Sequence, residues 1–194
     1  AEGLRAKGHN VKIITPRPLR LQSEPPEGYI FLGSSTKVTA VLATAADIGF
    51  EIDGREIDAV LEQEKFEVIN FHEPWIPVLA RQIAMRSKAA HVGTFHANLS
   101  DSVTGKSLAN MLASYGRGIL HKMDILTAVS PAAAGILTAK APDNALVKNI
   151  RYIPNGIDLK KYALAPRQKL PRSDLKTILY VGRLEGRKGL KYLL

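Results

Sequence analysis

Short apolar runs alternate with segments of helical spacing along most of the chain. The runs are rich in β-branched and aromatic residues, whereas the segments between them carry apolar side chains every three or four positions. Parallel strands need crossover connections of helix length, so this alternation predicts an α/β fold: a doubly wound parallel sheet with helices on both faces. The predicted strands are 11–15, 68–71, 91–95, 125–129 and 149–153, and the predicted helices are 55–63, 75–87, 104–122 and 131–139.

The pattern is weaker between the first strand and the first helix. Three prolines interrupt residues 17–28, which reads as a loop. Residues 29–32 and 37–42 are predicted to be short strands. They would form either a hairpin or an excursion at the edge of the sheet.

A domain boundary is predicted towards the end of the chain. Residues 158–174 contain two prolines and five cationic side chains, with little apolar periodicity. We therefore expect a first domain at 1–157, a linker at 158–175 and the start of a second domain at 176–194. That start would comprise a strand at 176–181 and the first turn of a helix. Helix-like residues at both chain ends predict that the sequence is cut inside an element at each end.

Composition limits the classes of protein and partner. A chain of 194 residues with 45% hydrophobic residues can bury one full α/β domain plus an appendage, and no apolar run approaches the roughly 18 residues of a spanning helix. The absence of cysteine excludes disulfides and permits a cytoplasmic location. The net charge of +9 suits nucleic acid, an anionic membrane or a diphosphate substrate. Because the basic residues are scattered, we predict no nucleic-acid partner.

Polar residues follow the predicted strands directly, and these positions are where open parallel sheets bind ligands. We expect them to line one crevice. Each also has a purely structural interpretation: a hydrogen-bonded histidine, a helix cap at Ser130 before Pro131, or a turn at Asn155 and Gly156. The candidate crevice residues are His72, Glu73, His96, Ser130, Asn155 and Gly156.

A basic loop follows the last predicted strand. Arg183 and Lys188, together with N–H groups at a helix start, could stabilise a diphosphate leaving group without a metal ion. The alternative is a solvated basic loop that binds nothing.

Four segments of the chain resemble family 4 of the retaining glycosyltransferases, which have the GT-B fold. The resemblance covers essentially the whole chain. Within the family, the His-Glu-Pro and Thr-Phe-His motifs are most similar to those of the phosphatidylinositol mannosyltransferases, which transfer mannose from GDP-mannose to an inositol phospholipid. The matching segments are 4–16, 71–74, 93–96, and 153–158 with 182–184 and 188–189 downstream.

The resemblance implies a role for each motif residue. His96 would contact the transferred sugar, and Arg183 and Lys188 would hold the donor diphosphate. His72 and Glu73 would flank the acceptor crevice of a Rossmann-like N-terminal domain. The donor would be a nucleoside diphosphate sugar, GDP-mannose or a UDP-hexose, with no tightly bound cofactor and no metal. The acceptor would be a lipid or a sugar.

The chain also departs from the family pattern. The Gly-rich loop after the family's first strand is missing, as are two glutamates separated by seven residues that bind the donor. We therefore expect this stretch to be inactive alone. A noncatalytic nucleotide-sugar or anionic-lipid binding module is the alternative. The basic helix predicted within 98–124 would place the protein peripherally on the inner face of the membrane, unless it only packs against the sheet.

Overall fold

The computed structural model of the chain describes residues 1–18, 24–38, 46–50, 53–74, 79–96, 118–160, 162, 178–182, 184 and 189–193. These residues divide into two compact units, 1–155 and 156–194. All described strands and α-helices belong to the first unit. The interpretation of the units as acceptor-side and donor-side domains stays a prediction.

Seven strands and five α-helices follow one another in the described part of the first unit. The strands are β1 (Ile13–Arg17), β2 (Tyr29–Val38), β3 (Ala46–Phe50), β4 (Val68–His72), β5 (Ala90–Phe95), β6 (Ile125–Ala128) and β7 (Arg151–Tyr152). The helices are α1 (Glu2–Arg5), α2 (Gly54–Glu64), α3 (Leu79–Arg86), α4 (Pro131–Lys140) and α5 (Ala145–Lys148). Residues 118–120 are also helical. Of the helix predicted at 104–122, residues 104–117 lie outside the described part of the chain.

The larger sheet has the order β4-β5-β6-β7, and all of its pairings are parallel. The predicted α/β fold with a parallel sheet is therefore confirmed. Helix α2 precedes β4 and α3 connects β4 to β5, as the alternation predicted. The register pairs His72 with Thr94 and Thr94 with Thr127, so the carboxyl ends of three strands meet at one edge.

The first three strands form a separate sheet of order β1-β2-β3, whereas a single sheet was expected. Strand β2 pairs in parallel with β1 and antiparallel with β3. The antiparallel pair is therefore formed by 29–38 and 46–50, and not by the predicted strands at 29–32 and 37–42. One long strand replaces the two predicted at 29–32 and 37–42, and residues 39–45 lie outside the described part. A bulge opposite Pro16, with Gly33 at φ 63°, lets β2 continue because Pro16 has no N–H to donate.

The core lies around the larger sheet. Phe95 and Ile57 are both fully buried, the first on β5 and the second on α2. Asp53 caps α2 by accepting a hydrogen bond from the Arg55 N–H at 3.0 Å. Gly93 lies so close to its neighbours that an added Cβ would meet Leu126 Cδ2 at 3.1 Å. Further buried members of the core are Leu32, Ile83, Ile119, Leu126, Ala134 and Leu137.

The described residues of the second unit include one short 3-10 turn, Leu190–Tyr192, which begins after Gly189 at φ 74°. The predicted helix start is thus a single 3-10 turn within the described residues. The strand predicted at 176–181 is wrong for the four residues described there, 178–181, because they lie outside any strand. Ile178, Leu179 and Val181 are exposed, and no described strand pairs with them, so a β conformation would leave their backbone groups without partners.

None of the helices within the described parts of the chain is long and apolar enough to cross a bilayer.

Candidate functional site

Two histidines meet at the carboxyl ends of β4 and β5. His72 is the last residue of β4, and His96 follows the last residue of β5. The Nδ1 atom of His72 lies 2.7 Å from the Nε2 atom of His96. Their ring centroids are 5.0 Å apart and their planes differ by 24°, so the rings meet edge to edge, as a hydrogen bond between ring nitrogens requires. The structure therefore brings together two residues that the strand-end argument selected from different strands.

Glu73 makes hydrogen bonds to the backbone next to the histidine pair. Its Oε1 atom accepts a hydrogen bond from the His96 N–H at 2.5 Å, and its own N–H donates to the Thr94 carbonyl oxygen at 2.9 Å. Its φ of 53° lies in the left-handed region, which costs a non-glycine residue on the order of 1 kcal/mol or more. These two hydrogen bonds between the ends of β4 and β5 stabilise the strained conformation. The helix start predicted at Pro74 is not described, since 75–78 lie outside the described residues.

The surroundings of His72 favour its neutral form. Neighbouring protein atoms displace water from the ring, although it remains solvent-accessible, and this burial lowers the pKa of His72. The charge of His96 lowers the pKa further, whereas the Glu73 carboxylate acts in the opposite direction. A neutral His72 can both donate and accept a hydrogen bond, which suits a positioning or proton-accepting role.

A row of three polar side chains continues from the histidine pair into the sheet. This polar row consists of Thr127, Thr94 and Asn70. The Thr127 hydroxyl donates to the Thr94 hydroxyl at 2.8 Å, and the Thr94 hydroxyl donates to Asn70 Oδ1 at 2.7 Å. Asn70 Nδ2 lies 3.5 Å from His72 Nε2, at the outer limit of a hydrogen bond.

The sequence analysis missed the polar row, although a signal for two of its members was present. Asn70 precedes His72 by two residues, and Thr94 precedes His96 by two residues. Side chains two positions apart on a strand point to the same face, so the spacing alone puts Asn70 on the face of His72 and Thr94 on that of His96. The polar identity of these positions inside apolar strands was the usable evidence.

Ser130 acts as the N-cap of α4, as predicted. Its hydroxyl oxygen accepts a hydrogen bond from the Ala133 N–H at 3.1 Å, and Pro131 occupies the first helical position. Pro131 has no N–H, and the cap already uses that of Ala133. Neither position therefore offers a free backbone N–H that could bind an anion at this helix start. A role of Ser130 in ligand binding stays a prediction.

Asn155 and Gly156 follow β7. The Ile153 N–H donates to the Ala128 carbonyl oxygen at 2.9 Å, so the chain follows β6 one residue beyond Tyr152. Asn155 ends the first unit and Gly156 begins the second, and both are exposed. Their predicted contribution to the crevice stays a prediction.

Arg183 and Lys188, the two residues assigned to the donor diphosphate, lie outside the described residues. Their assignment also stays a prediction.

A cavity of about 1060 Å³ borders the site within the first unit. Asn70, His72 and Glu73 form part of its lining, together with residues of β1 and of α3. Small-molecule sites commonly occupy cavities of roughly 300 to 1,000 Å³ lined by apolar side chains and a few polar groups. Asn70, His72 and Glu73 therefore border a space that is large enough for a sugar or a lipid headgroup.

In an open α/β sheet, polar side chains at the carboxyl ends of the strands lie where such folds bind ligands. The chain matches Glycosyltransferase Family 4 over residues 1–161, and it belongs to that family. The predicted resemblance is therefore confirmed.

Similar curated proteins agree with this family. A phosphatidyl-myo-inositol mannosyltransferase of Mycolicibacterium smegmatis is 26% identical over 196 residues, which cover 100% of this chain and 48% of that protein. The protein of the same name from Mycobacterium tuberculosis H37Rv is 28% identical, with 100% and 49% covered. That of Propionibacterium freudenreichii is 27% identical, with 98% and 49% covered. The chain thus spans about half the length of the curated relatives it matches.

Proposed function

We propose that this chain is the acceptor-side part, with the start of the donor-side part, of a retaining hexosyltransferase. The enzyme transfers a hexosyl group from a nucleoside diphosphate sugar to a hydroxyl acceptor. Mannose as the sugar and phosphatidylinositol as the acceptor are the first candidates, because relatives at 26% and 28% identity carry the name phosphatidyl-myo-inositol mannosyltransferase. GDP-mannose is the first donor to test, and a UDP-hexose is the second.

The observation that carries the proposal is the contact between His72 and His96 beside the cavity, in a chain of Glycosyltransferase Family 4. In this proposal the His96 imidazole contacts a hydroxyl of the transferred sugar and orients the sugar. His72 and Glu73 hold this imidazole from one side, by hydrogen bonds to its ring and to its backbone. Orientation of this kind lowers the activation free energy only if it is maintained in the transition state.

In the proposed reaction the acceptor hydroxyl oxygen bonds to the anomeric carbon as the bond from that carbon to the diphosphate oxygen breaks. The electron pair of the broken bond stays on the diphosphate, which takes the proton of the acceptor hydroxyl. Attack on the face that the leaving group vacates retains the anomeric configuration. Arg183 and Lys188 are proposed to stabilise the charge on the departing diphosphate.

A lipid acceptor requires access to a membrane surface. We place the enzyme in the cytoplasm with peripheral contact with an anionic inner face, in keeping with the net charge of +9. Most of the basic helix predicted within 98–124 lies outside the described residues, so the site of contact stays a prediction.

The test uses the full-length protein with GDP-mannose or UDP-glucose and liposomes that contain phosphatidylinositol. We expect sugar transfer with one of the donors and retention of the anomeric configuration, as observed by NMR of the product. His96→Gln should lower kcat by about 10²-fold, since one oriented hydrogen-bonding group is worth roughly that much. The control is Glu62→Gln, at an exposed position of α2 outside the lining of the cavity.

Transfer at the wild-type rate by His96→Gln would contradict the proposed role of His96. Tight binding of a nucleotide sugar or of anionic liposomes without any transfer would instead indicate a noncatalytic binding module. The isolated 194-residue chain should show no turnover, because positioning needs both faces of the cleft. Turnover comparable to that of the full-length enzyme would refute this last expectation.

A further inference from the structure

Five side chains from three parallel strands form one hydrogen-bonded chain that ends at His96. The chain links the polar row of β4, β5 and β6 to the histidine pair by four contacts. In order, these are Thr127 Oγ1 to Thr94 Oγ1 at 2.8 Å, Thr94 Oγ1 to Asn70 Oδ1 at 2.7 Å, Asn70 Nδ2 to His72 Nε2 at 3.5 Å, and His72 Nδ1 to His96 Nε2 at 2.7 Å.

The first half of the hydrogen-bonded chain determines which end of the Asn70 amide group faces Thr94 and which end faces His72. A threonine hydroxyl has one proton to donate, and that of Thr94 is donated to the amide oxygen of Asn70 while its own oxygen accepts from Thr127. The amide oxygen therefore faces Thr94, and the NH₂ group faces His72. Because an NH₂ group is only a donor, the Nε2 atom of His72 must accept.

The second half of the hydrogen-bonded chain determines which nitrogen of each histidine ring carries the proton. A neutral imidazole carries one proton, so a His72 that accepts at Nε2 carries its proton on Nδ1. That Nδ1–H donates to the Nε2 atom of His96, 2.7 Å away. His96 then accepts at Nε2, and its own proton is on Nδ1.

We propose that Asn70 is a positioning residue that sets both His72 and His96 in the Nδ1–H tautomer. His96 consequently offers an Nδ1–H donor for the oxygen atom of a ligand hydroxyl, such as that of a sugar. The ligand class rests on the proposed function, whereas the tautomers rest only on the hydrogen-bonded chain. Asn70 acts through His72 and does not itself need to touch the ligand.

Replacement by an isosteric acceptor gives a sharp expectation. In Asn70→Asp, the carboxylate can only accept, so it would accept a hydrogen bond from His72 Nε2–H. Nδ1 of His72 then becomes the acceptor and takes a hydrogen bond from His96 Nε2–H. Both histidines should change from the Nδ1–H to the Nε2–H tautomer, without any change in side-chain size.

The experiment is long-range ¹H–¹⁵N NMR of the full-length protein labelled with ¹⁵N-histidine, at about pH 8, where histidines of ordinary pKa are neutral. Signals are assigned with His72→Gln and His96→Gln. His91 is an internal reference, because its buried ring has Nδ1 at 2.7 Å from the Lys122 carbonyl oxygen, to which only an N–H can donate. We expect the Nδ1–H pattern for His72, His96 and His91 in the wild-type protein.

In Asn70→Asp, His72 and His96 should show the Nε2–H pattern and His91 should be unchanged, which also reports that the sheet is intact. A wild-type spectrum with Nε2–H on His72 or His96 would overturn the proposal, whatever the variants do. Unchanged tautomers in a folded Asn70→Asp protein would overturn it as well. If that variant does not fold, Thr94→Val serves instead, since loss of the Thr94 hydroxyl should produce a mixture of tautomers.

The result is separable from the proposed function. If the predicted tautomers are found in a protein that transfers no sugar, the proposed role of Asn70 is supported and the proposed hexosyltransferase function is refuted. Sugar transfer with the opposite tautomers would refute only the role of Asn70. If both hold, Asn70→Asp should lower kcat by at least about tenfold, because a tautomer reversed at a catalytic histidine is costly.

Discussion

The Nδ1 atom of His72 lies 2.7 Å from the Nε2 atom of His96, at the adjoining ends of two parallel strands. A contact of this length is a hydrogen bond, so one of these nitrogens carries a proton and the other accepts it. Two imidazolium rings could not make this contact, because both nitrogens would carry protons. The pair therefore takes up no more than one additional proton without losing its geometry.

Stability should fall as the solution becomes acidic. Burial, and then the charge of His96, lower the pKa of His72 in the folded protein below its ordinary value of 6.5. As the pH falls through 6.5, the unfolded chain binds a proton at His72 more readily than the folded one, so the free energy of unfolding decreases. Urea denaturation at a series of pH values between about 8 and 5 measures this slope.

The slope between these pH values should be smaller in His72→Gln, which lacks the titrating ring. His9→Gln is the matched control, since it removes one histidine but keeps the pair at the site, and its slope is the one with which that of His72→Gln is compared. The assignment to His72 would be refuted by a His72→Gln protein that loses stability on acidification as steeply as the wild type.

Glu73 is in a left-handed backbone conformation, with φ at 53°. Both Glu73→Ala and Glu73→Gly remove the carboxylate, but glycine adopts this φ without strain. After allowance for the greater freedom of glycine in the unfolded chain, Glu73→Gly should be more stable than Glu73→Ala by about 0.5 to 1 kcal/mol. Chemical denaturation of the two variants gives the difference directly.

Lys65 offers a matched comparison, because it has φ at 49° at the C-cap of α2. The glycine variant should again be more stable than the alanine variant. If alanine is favoured at position 73 but not at 65, the left-handed conformation of Glu73 is refuted.

Removal of the Ser130 cap should destabilise the protein without changing the sheet. Ser130→Ala loses the hydrogen bond from the Ala133 N–H and is expected to cost about 1 kcal/mol. Ser130→Asp retains an acceptor and should restore most of the loss. The control is Thr138→Ala on the same helix, where the hydroxyl donates only to carbonyl oxygens within the helix. A Ser130→Ala protein as stable as wild type would exclude the cap as a stabilising contact.

Phe95 couples the core to the site, because it is fully buried and directly precedes His96. Phe95→Ala should lower the free energy of unfolding by about 3 to 5 kcal/mol, through lost burial and the cavity left behind. Val68→Ala on β4 removes a side chain that is 58% exposed and should cost far less. Equal losses in the two variants, measured by thermal or chemical unfolding, would contradict the position of Phe95 in the core.

Much of the larger sheet could be predicted from the sequence, because apolar runs and helical segments alternate with little ambiguity between Val68 and Ala128. Parallel strands then dictate that His72 and His96 lie at the same edge. The contact of Thr94 with Asn70 could not be predicted, since it depends on the register that pairs His72 with Thr94, and an apolar run does not specify a register.

The first sheet shows the opposite case. Its register depends on a bulge opposite Pro16, where Gly33 takes a positive φ, and no periodic pattern reports such a feature. The strand predicted at 29–32 was therefore too short, and residues 37 and 38, which were assigned to the next strand, belong to the same strand β2. The left-handed conformation of Glu73 was equally invisible, because glutamate has no preference for that region.

The hydrogen-bonded chain joins residues that are far apart along the polypeptide: His72 and His96 are separated by 24 positions, and Thr94 and Thr127 by 33. Contacts between such distant residues form only after loops of this length have closed. The interval between synthesis of β4 and synthesis of β6 is thus a period in which the histidines exist without their fixed partners. Competence of the site therefore requires that β4, β5 and β6 have all paired, so a disturbance of either pairing should abolish the site even where the helices remain.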